Sequence, residues 1–153
     1  MIVYQGAKKS CVACSLAWMA MFWHKGTEYD WNVLWNNLNG DDDGLEPKYA
    51  MRLARVLGWF RVTVRIPVAF IRFFLWLGFP VVIGVPMNRL FWSGTSYEHP
   101  VVWNGDNDED HMVVATGHDG LGNWHIVGWG NETEQEYRLL DKYYPIKQAY
   151  ICR

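Results

Sequence analysis

Residues 5–26 read QGAKKSCVACSLAWMAMFWHKG, and the architecture turns on them. Ser10 suits a helix N-cap, no Gly or Pro interrupts the run from Cys11 to His24, and Gly26 marks its end. The run is apolar nearly all round, which is the pattern of a helix enclosed on every side. A cysteine in its first turn feels unsatisfied N–H groups and the positive end of the aligned peptide dipoles. Both favour the thiolate, which is the nucleophilic form, and thiols so placed titrate at about 3.5–7.5 instead of near 8.5. Lys8 and Lys9 act in the same sense. The plain alternative is that Cys11 is one more small buried hydrophobe, as most free cysteines are. Cys14, one turn further on, fits that description better.

The rest of the composition narrows the function. A chain of 153 residues, half of them hydrophobic, is long enough for one domain with a real core, and we read residues 1–153 as a single unit. Ten tryptophans point to a core or groove rich in flat side chains. A net charge of -2, without a Lys/Arg stripe among the aromatics, excludes nucleic acid as the expected partner. The cysteines Cys11, Cys14 and Cys152 are too few for a disulfide framework.

Two other uses of Cys11 and Cys14 lack the context they require. A redox pair would follow the first strand of a βαβ unit, and almost no chain precedes this one. A zinc site would need ligands from His111, His118, His125 or Cys152, yet no second C-x-x-C and no closely spaced His pair accompanies them. No metal or other cofactor is expected. The N-terminus lacks the pattern of a secretory leader. The apolar run Val68–Val85 contains Arg72, Gly78 and Pro80, and makes a poor bilayer span. The expectation is a soluble protein, cytoplasmic or delivered as an effector, with its oligomeric state open.

Outward from the first helix, TEYDWNVLWNNLNG (27–40) fits a second, with Thr27 as a cap and Gly40 beyond its end. EPKYAMRLARVLG (46–58) fits a third, with Pro47 in the first turn and Gly58 as a left-handed C-terminal residue. RVTVRI (61–66) alternates like a strand, VAFIRFFLWLG (68–78) is a short helix or apolar turn, and PVVIGV (80–85) is a buried strand. Residues 87–110 look irregular, and loops of that length are usually functional. A hairpin follows, HMVVATG (111–117) and WHIVGWG (124–130), and the tail returns as a strand or a helix and strand. Helices first and strands second predict an α+β fold, with a helical half packed on an antiparallel sheet.

A nucleophilic thiol needs an imidazole to take its proton and return it to the leaving group. His111 opens a strand directly after the acidic loop GDNDED, a position from which it can face a helix N-terminus. Gln5, six residues before the thiol, can donate a hydrogen bond to a developing oxyanion. Gln5, Cys11 and His111 thus form a consistent acyl-transfer set.

Two segments carry a family resemblance. QGAKKSCVACS resembles the active-site segment of papain-like cysteine peptidases, and HMVVATGHDGLGNWHIVGWG resembles their second signature, a histidine heading an apolar strand and a hairpin that ends in Trp-Gly. Between them GLEPKYAMRLARVLGW is similar to the helix ending in Leu-Gly of the compact members, which include bacteriocin-processing peptidase domains of export transporters and small papain-like effector domains. The resemblance implies a papain-like fold and a cysteine peptidase acting on peptide or protein through a thiolate–imidazolium pair and an acyl-enzyme. It implies Cys11 as nucleophile, His111 as general base then acid, and Gln5 as oxyanion donor beside the Cys11 backbone N–H. Trp129 matches the tryptophan that shields the histidine.

The sequence departs from the pattern where the family orients its histidine with Asn or Asp. Val127 stands there, and Asn131 or His125 are the substitutes at hand. Val12 is a second departure, since many members carry an aromatic there. Two alternatives therefore stay open: a weakened or inactive domain that binds peptides, and an amidase or acyltransferase on a non-protein substrate.

Overall fold

The computed structural model describes residues 10–41, 44–86, 91–94, 101–102, 110–120, 123–128, 136–140 and 146–153. Three helices come first: α1 (Cys11–Trp23), α2 (Asn32–Asn37) and α3 (Pro47–Val56). Strand β1 (Thr63–Ile66) leads through one 3-10 turn (Val68–Phe70) into α4 (Ile71–Trp76), and β2 (Val81–Pro86) follows. The remaining strands are β3 (Phe91–Gly94), β4 (Val101–Val102), β5 (Asp110–His118), β6 (Asn123–Val127), β7 (Glu136–Leu140) and β8 (Gln148–Cys152). Among the described residues these strands form one sheet in the order β1-β8-β2-β5-β6-β7-β3-β4, with every neighbouring pair antiparallel. The α+β expectation holds, with the helical half on the sheet.

Alternation along the strands sorts the core into two layers. Val82, Met112, Val114, Val127, Tyr150 and Cys152 point to the face that α1 covers, with α2 and α3 behind it. Val81, Ile83, Val85, Val113, Ala115, Trp124 and Ile126 point to the other face, where Ile71 of α4 plugs the cover. The central strands are therefore buried on both sides, and they read as unbroken apolar runs for that reason. Every residue from Val12 to Ala20 is buried, as an all-round apolar helix requires. Burying one such Leu or Met contributes roughly 1.5–3 kcal/mol.

Details differ from the sequence reading. The second helix starts at Asn32, five residues after Thr27, because the Asp30 carboxylate accepts the Asn32 backbone N–H at 2.9 Å and sets the first turn there. Ser10 does occupy the N-cap of α1, but its hydroxyl makes no capping bond and lies 3.6 Å from Cys14 Sγ. The stretch 87–110 is not irregular throughout, since it contributes β3 and β4, and the tail returns as two strands.

The end of α3 follows its sequence signal closely. Gly58 has φ of 79°, its N–H reaches the Arg55 carbonyl, and the Trp59 N–H reaches that of Ala54. That pair of bonds satisfies the last carbonyls of the helix. Gly40 is needed for a different reason: a Cβ there would run into the Trp35 indole. Gly58→Ala should therefore cost about 1 kcal/mol from backbone strain alone. Gly40→Ala should cost more, roughly 1–3 kcal/mol, because a buried ring must move. Urea unfolding of the two variants checks the order.

Candidate active site

Cys11 is the first residue of α1 and is partly exposed, whereas Cys14 and Cys152 are buried. The sequence placed it in the first turn because Ser10 is the last residue before the apolar run, and the backbone does turn helical there. The Cys14 N–H bonds to the Ser10 carbonyl at 2.9 Å, so Cys11, Val12 and Ala13 contribute N–H groups that no carbonyl within the helix accepts. Ser15 Oγ donates to the Cys11 carbonyl at 2.8 Å and ties down the first turn. Burial pushes the Cys14 thiol up to about 12, with Ser10 opposing and Cys11 adding to the rise. Burial likewise pushes Cys152 up to about 12.

The far end of α1 is pinned to the sheet. Trp23 Nε1 donates to the Cys152 carbonyl at 2.7 Å. Cys152 lies two residues beyond Tyr150, which stands in line with Val82 and Val114. The pin is thus level with a point about five residues along β5 from His111. Cys11 lies twelve residues before Trp23, which at about 1.5 Å each is roughly 18 Å along the helix axis. Five strand residues cover nearly the same distance, about 17 Å.

His111 is the second residue of β5, paired with Val85 of β2. Burial alone pushes its imidazole down to about 4 from 6.5, so the ring is neutral at pH 7. Alternation sets it in the row of Val113 and Ala115, on the α4 face, while Met112 and Val114 face α1. Its ring meets the α1 side only by turning round the strand end at the rim.

The other described histidines stand elsewhere. His24 is at the C-terminal end of α1, with Nε2 3.1 Å from the Trp59 carbonyl. His118 ends β5, paired with Trp124, and its Nδ1 accepts the Gly120 N–H. His125 pairs with Gly117, six residues along β5 from His111 and hence about 20 Å away along the strand. The register thus does not bring His125, one of the two substitutes for the orienting residue, to His111. Val127 is buried in the α1-side core opposite Val114. Gln5, Lys8, Lys9, Trp129 and Asn131, with His99, lie outside the described residues. Among the described residues no three His, Cys, Asp or Glu side chains come together as a metal site.

One polar group escaped the sequence reading. The Tyr150 hydroxyl donates to Gln148 Oε1 at 2.6 Å, and Gln148 Nε2 lies 3.7 Å from Met112 Sδ. These side chains lie on the α1 face near the rim where β5 begins, and a Cβ at Gly84 would collide with Gln148. The only trace in the sequence is a glycine inside an otherwise apolar strand.

No protein-family model matches the sequence, and no curated protein matches it. The fold is similar to the crystal structure of the peptidase domain of Streptococcus ComA, a bifunctional ABC transporter involved in a quorum-sensing pathway. The TM-score is 0.68 at 17% identity, over 99% of this chain and 96% of that one. The chain therefore shares the fold of that peptidase domain, an α+β arrangement with N-terminal helices packed on an antiparallel sheet.

Iodoacetamide at neutral pH should label native protein at Cys11, with Cys14 and Cys152 carrying roughly a thousandfold less thiolate than an ordinary cysteine. Peptide mapping after a short pulse reads this directly, and equal labelling of all three would contradict it. The His111 shift also predicts a pH effect. Its folded pKa lies below its unfolded one, so the unfolded chain binds the proton first. Stability is full above about 6.5, declines as pH falls to about 4, and is level below. His111→Gln should abolish that decline, a difference of roughly 1–3 kcal/mol in paired urea melts at pH 7 and pH 4.5.

Proposed function

We propose that this chain is a single-domain cysteine peptidase that hydrolyses peptide bonds through an acyl-enzyme on Cys11. One observation carries the reading: a peptidase-domain fold spans the chain, and a partly exposed cysteine opens its central helix while the other two are buried. In this reading Cys11 Sγ attacks the substrate carbonyl and His111 takes the thiol proton. The Cys11 N–H and the Gln5 amide hold the oxyanion. His111 then protonates the leaving amine, and a water deprotonated by the same ring hydrolyses the thioester. Because burial favours the neutral ring, the proton moves during attack, in place of a standing thiolate–imidazolium pair.

The substrate class is peptide or protein. Among the described residues no helix is long and apolar enough to cross a membrane. Trp129 would shield the imidazole, and Asn131 remains the candidate for orienting it.

A second reading is favoured by Val127 and by the row in which His111 stands: a papain-like domain that binds peptides without cutting them. Incubation with a peptide library, read by mass spectrometry, separates the two. The peptidase reading expects new termini whose formation falls at least about a thousandfold in Cys11→Ala and strongly in His111→Ala. Peptides retained but uncut by wild type would replace it with the binding reading. Labelling of Cys11 without cleavage of any peptide would favour the acyl chemistry of a non-protein amide.

A further inference from the structure

Cys14 has no part in the proposed hydrolysis, yet it sits directly behind the nucleophile. Cys11 opens α1 and Cys14 follows three residues later, on the next turn of the same side. At that spacing a regular helix holds two Cα atoms about 5 Å apart. A disulfide needs roughly 4.4–6.8 Å, so the backbone does not have to move to form one. Helix side chains lean toward the N-terminus. That of Cys14 does so here, since its Sγ lies 3.6 Å from the Oγ of Ser10, the residue just ahead of Cys11. The sulfur is thus turned back over the first turn, where Cys11 stands.

The two thiols differ in ways that fix an order of events. Cys11 is partly exposed and lies at the positive end of the helix dipole, where thiolate is favoured. Cys14 is buried, and burial pushes its thiol up to about 12, with Ser10 opposing and the neighbouring Cys11 adding to the rise. An oxidant arriving from solvent therefore meets a reactive sulfur only at Cys11, and Cys14 is reached through its neighbour. Cys152 does not compete, because its carbonyl is held by Trp23 at the other end of α1, roughly 18 Å along the helix axis. Among the described residues every strand pair is antiparallel, so the cysteines do not sit in the βαβ unit of a dithiol oxidoreductase. Their use is local.

We propose that Cys14 is the resolving cysteine of a reversible redox switch on Cys11, with a hydroperoxide as the oxidant. The Cys11 thiolate attacks the peroxide and breaks its O–O bond, which gives Cys11 sulfenic acid and an alkoxide or hydroxide that takes up a proton. Cys14 Sγ then attacks the sulfenic sulfur: the S–S bond forms, the S–O bond breaks, and hydroxide leaves with the Cys14 proton as water. The two sulfurs are oxidised together by two electrons, and the peroxide is reduced by two. A dithiol reverses the bond by exchange. Disulfide formation needs only the two cysteines, whereas its silencing of hydrolysis rests on the peptidase reading.

The test treats the reduced full chain with a small excess of hydrogen peroxide, then unfolds it in iodoacetamide for trypsin digestion and mass spectrometry. Cys11 and Cys14 share the tryptic peptide 10–25, and Cys152 lies in peptide 148–153. Peptide 10–25 should appear lighter by two hydrogens and without alkylation, while peptide 148–153 stays alkylated. In native protein, Cys11 labelling should fall at least about tenfold after peroxide and return with dithiothreitol, and peptide cleavage should follow it both ways. In Cys14→Ala, prolonged peroxide should carry Cys11 to sulfinic acid, which dithiothreitol does not restore. Cys14→Ser replaces that variant if circular dichroism shows it unfolded.

Oxidation of Cys11 with Cys14 still alkylatable, or a Cys11 bond between two chains, would overturn the switch. So would a disulfide that forms while cleavage persists. Cleavage by the reduced protein without any disulfide after peroxide would sink the switch and leave the peptidase reading standing. A disulfide that blocks Cys11 and reverses, in a chain that cleaves no peptide when reduced, would uphold the cysteine pair and sink the peptidase reading instead.

Discussion

An apolar helix that cannot face water anywhere organises this molecule. From Val12 to Ala20 α1 has no polar face to leave outside, so it has to be enclosed. The sheet closes one side through Met112, Val114 and Tyr150, while α2 and α3 close the other through Leu34, Ala50 and Ala54. That enclosure dictates where the helix ends can emerge. The C-terminal end is held by the Trp23 indole on the Cys152 carbonyl, and the N-terminal end carries Cys11, which stays partly exposed. A partly exposed thiol at the helix start and two buried thiols in the core follow from the same packing.

Burial acts on the candidate pair in a way that shapes the chemistry available to it. It disfavours charge, so it raises thiols and lowers imidazoles. Cys14 and Cys152 are kept protonated by it, and His111 is kept neutral. A neutral imidazole is the correct form for a general base. It is the wrong form for a resting ion pair. The chain also lacks a side-chain hydrogen-bond acceptor at Val127, so nothing at that position stabilises an imidazolium. In the peptidase proposal both facts have one consequence: His111 would act as a base during attack, and more slowly than a fully assembled triad.

Much of the fold was legible because its signals were local. The apolar run ending at Gly26, Pro47 opening α3, Gly58 closing it, and the Gly-rich turn between β5 and β6 each fix a boundary through one residue's conformational preference. The start of α2 was missed because Asp30, not Thr27, supplies the acceptor, and both residue types make good caps. Strands β3 and β4 were missed because Phe91–Gly94 and Val101–Val102 are too short to show a period. For the site, the cysteine's place followed from helix chemistry, but the side of the sheet that His111 takes depends on register. The pairing of Val85 with His111 sets it, and no single-chain pattern contains that pairing. The Gln148–Tyr150 pair was invisible for the same reason, since it is assembled from β8 against β2 and β5.

The central claim is that Cys11 and His111 share one site at the rim of the sheet. Its most direct test is the pH titration of the His111 ring nitrogens by NMR, in wild type and in Cys11→Ser. If the two groups meet, removing the sulfur should displace the His111 titration by at least about half a unit, because the partner that shares its proton is gone. Superimposable titration curves in the two proteins would mean that the imidazole does not sense the sulfur, and the shared site would be contradicted.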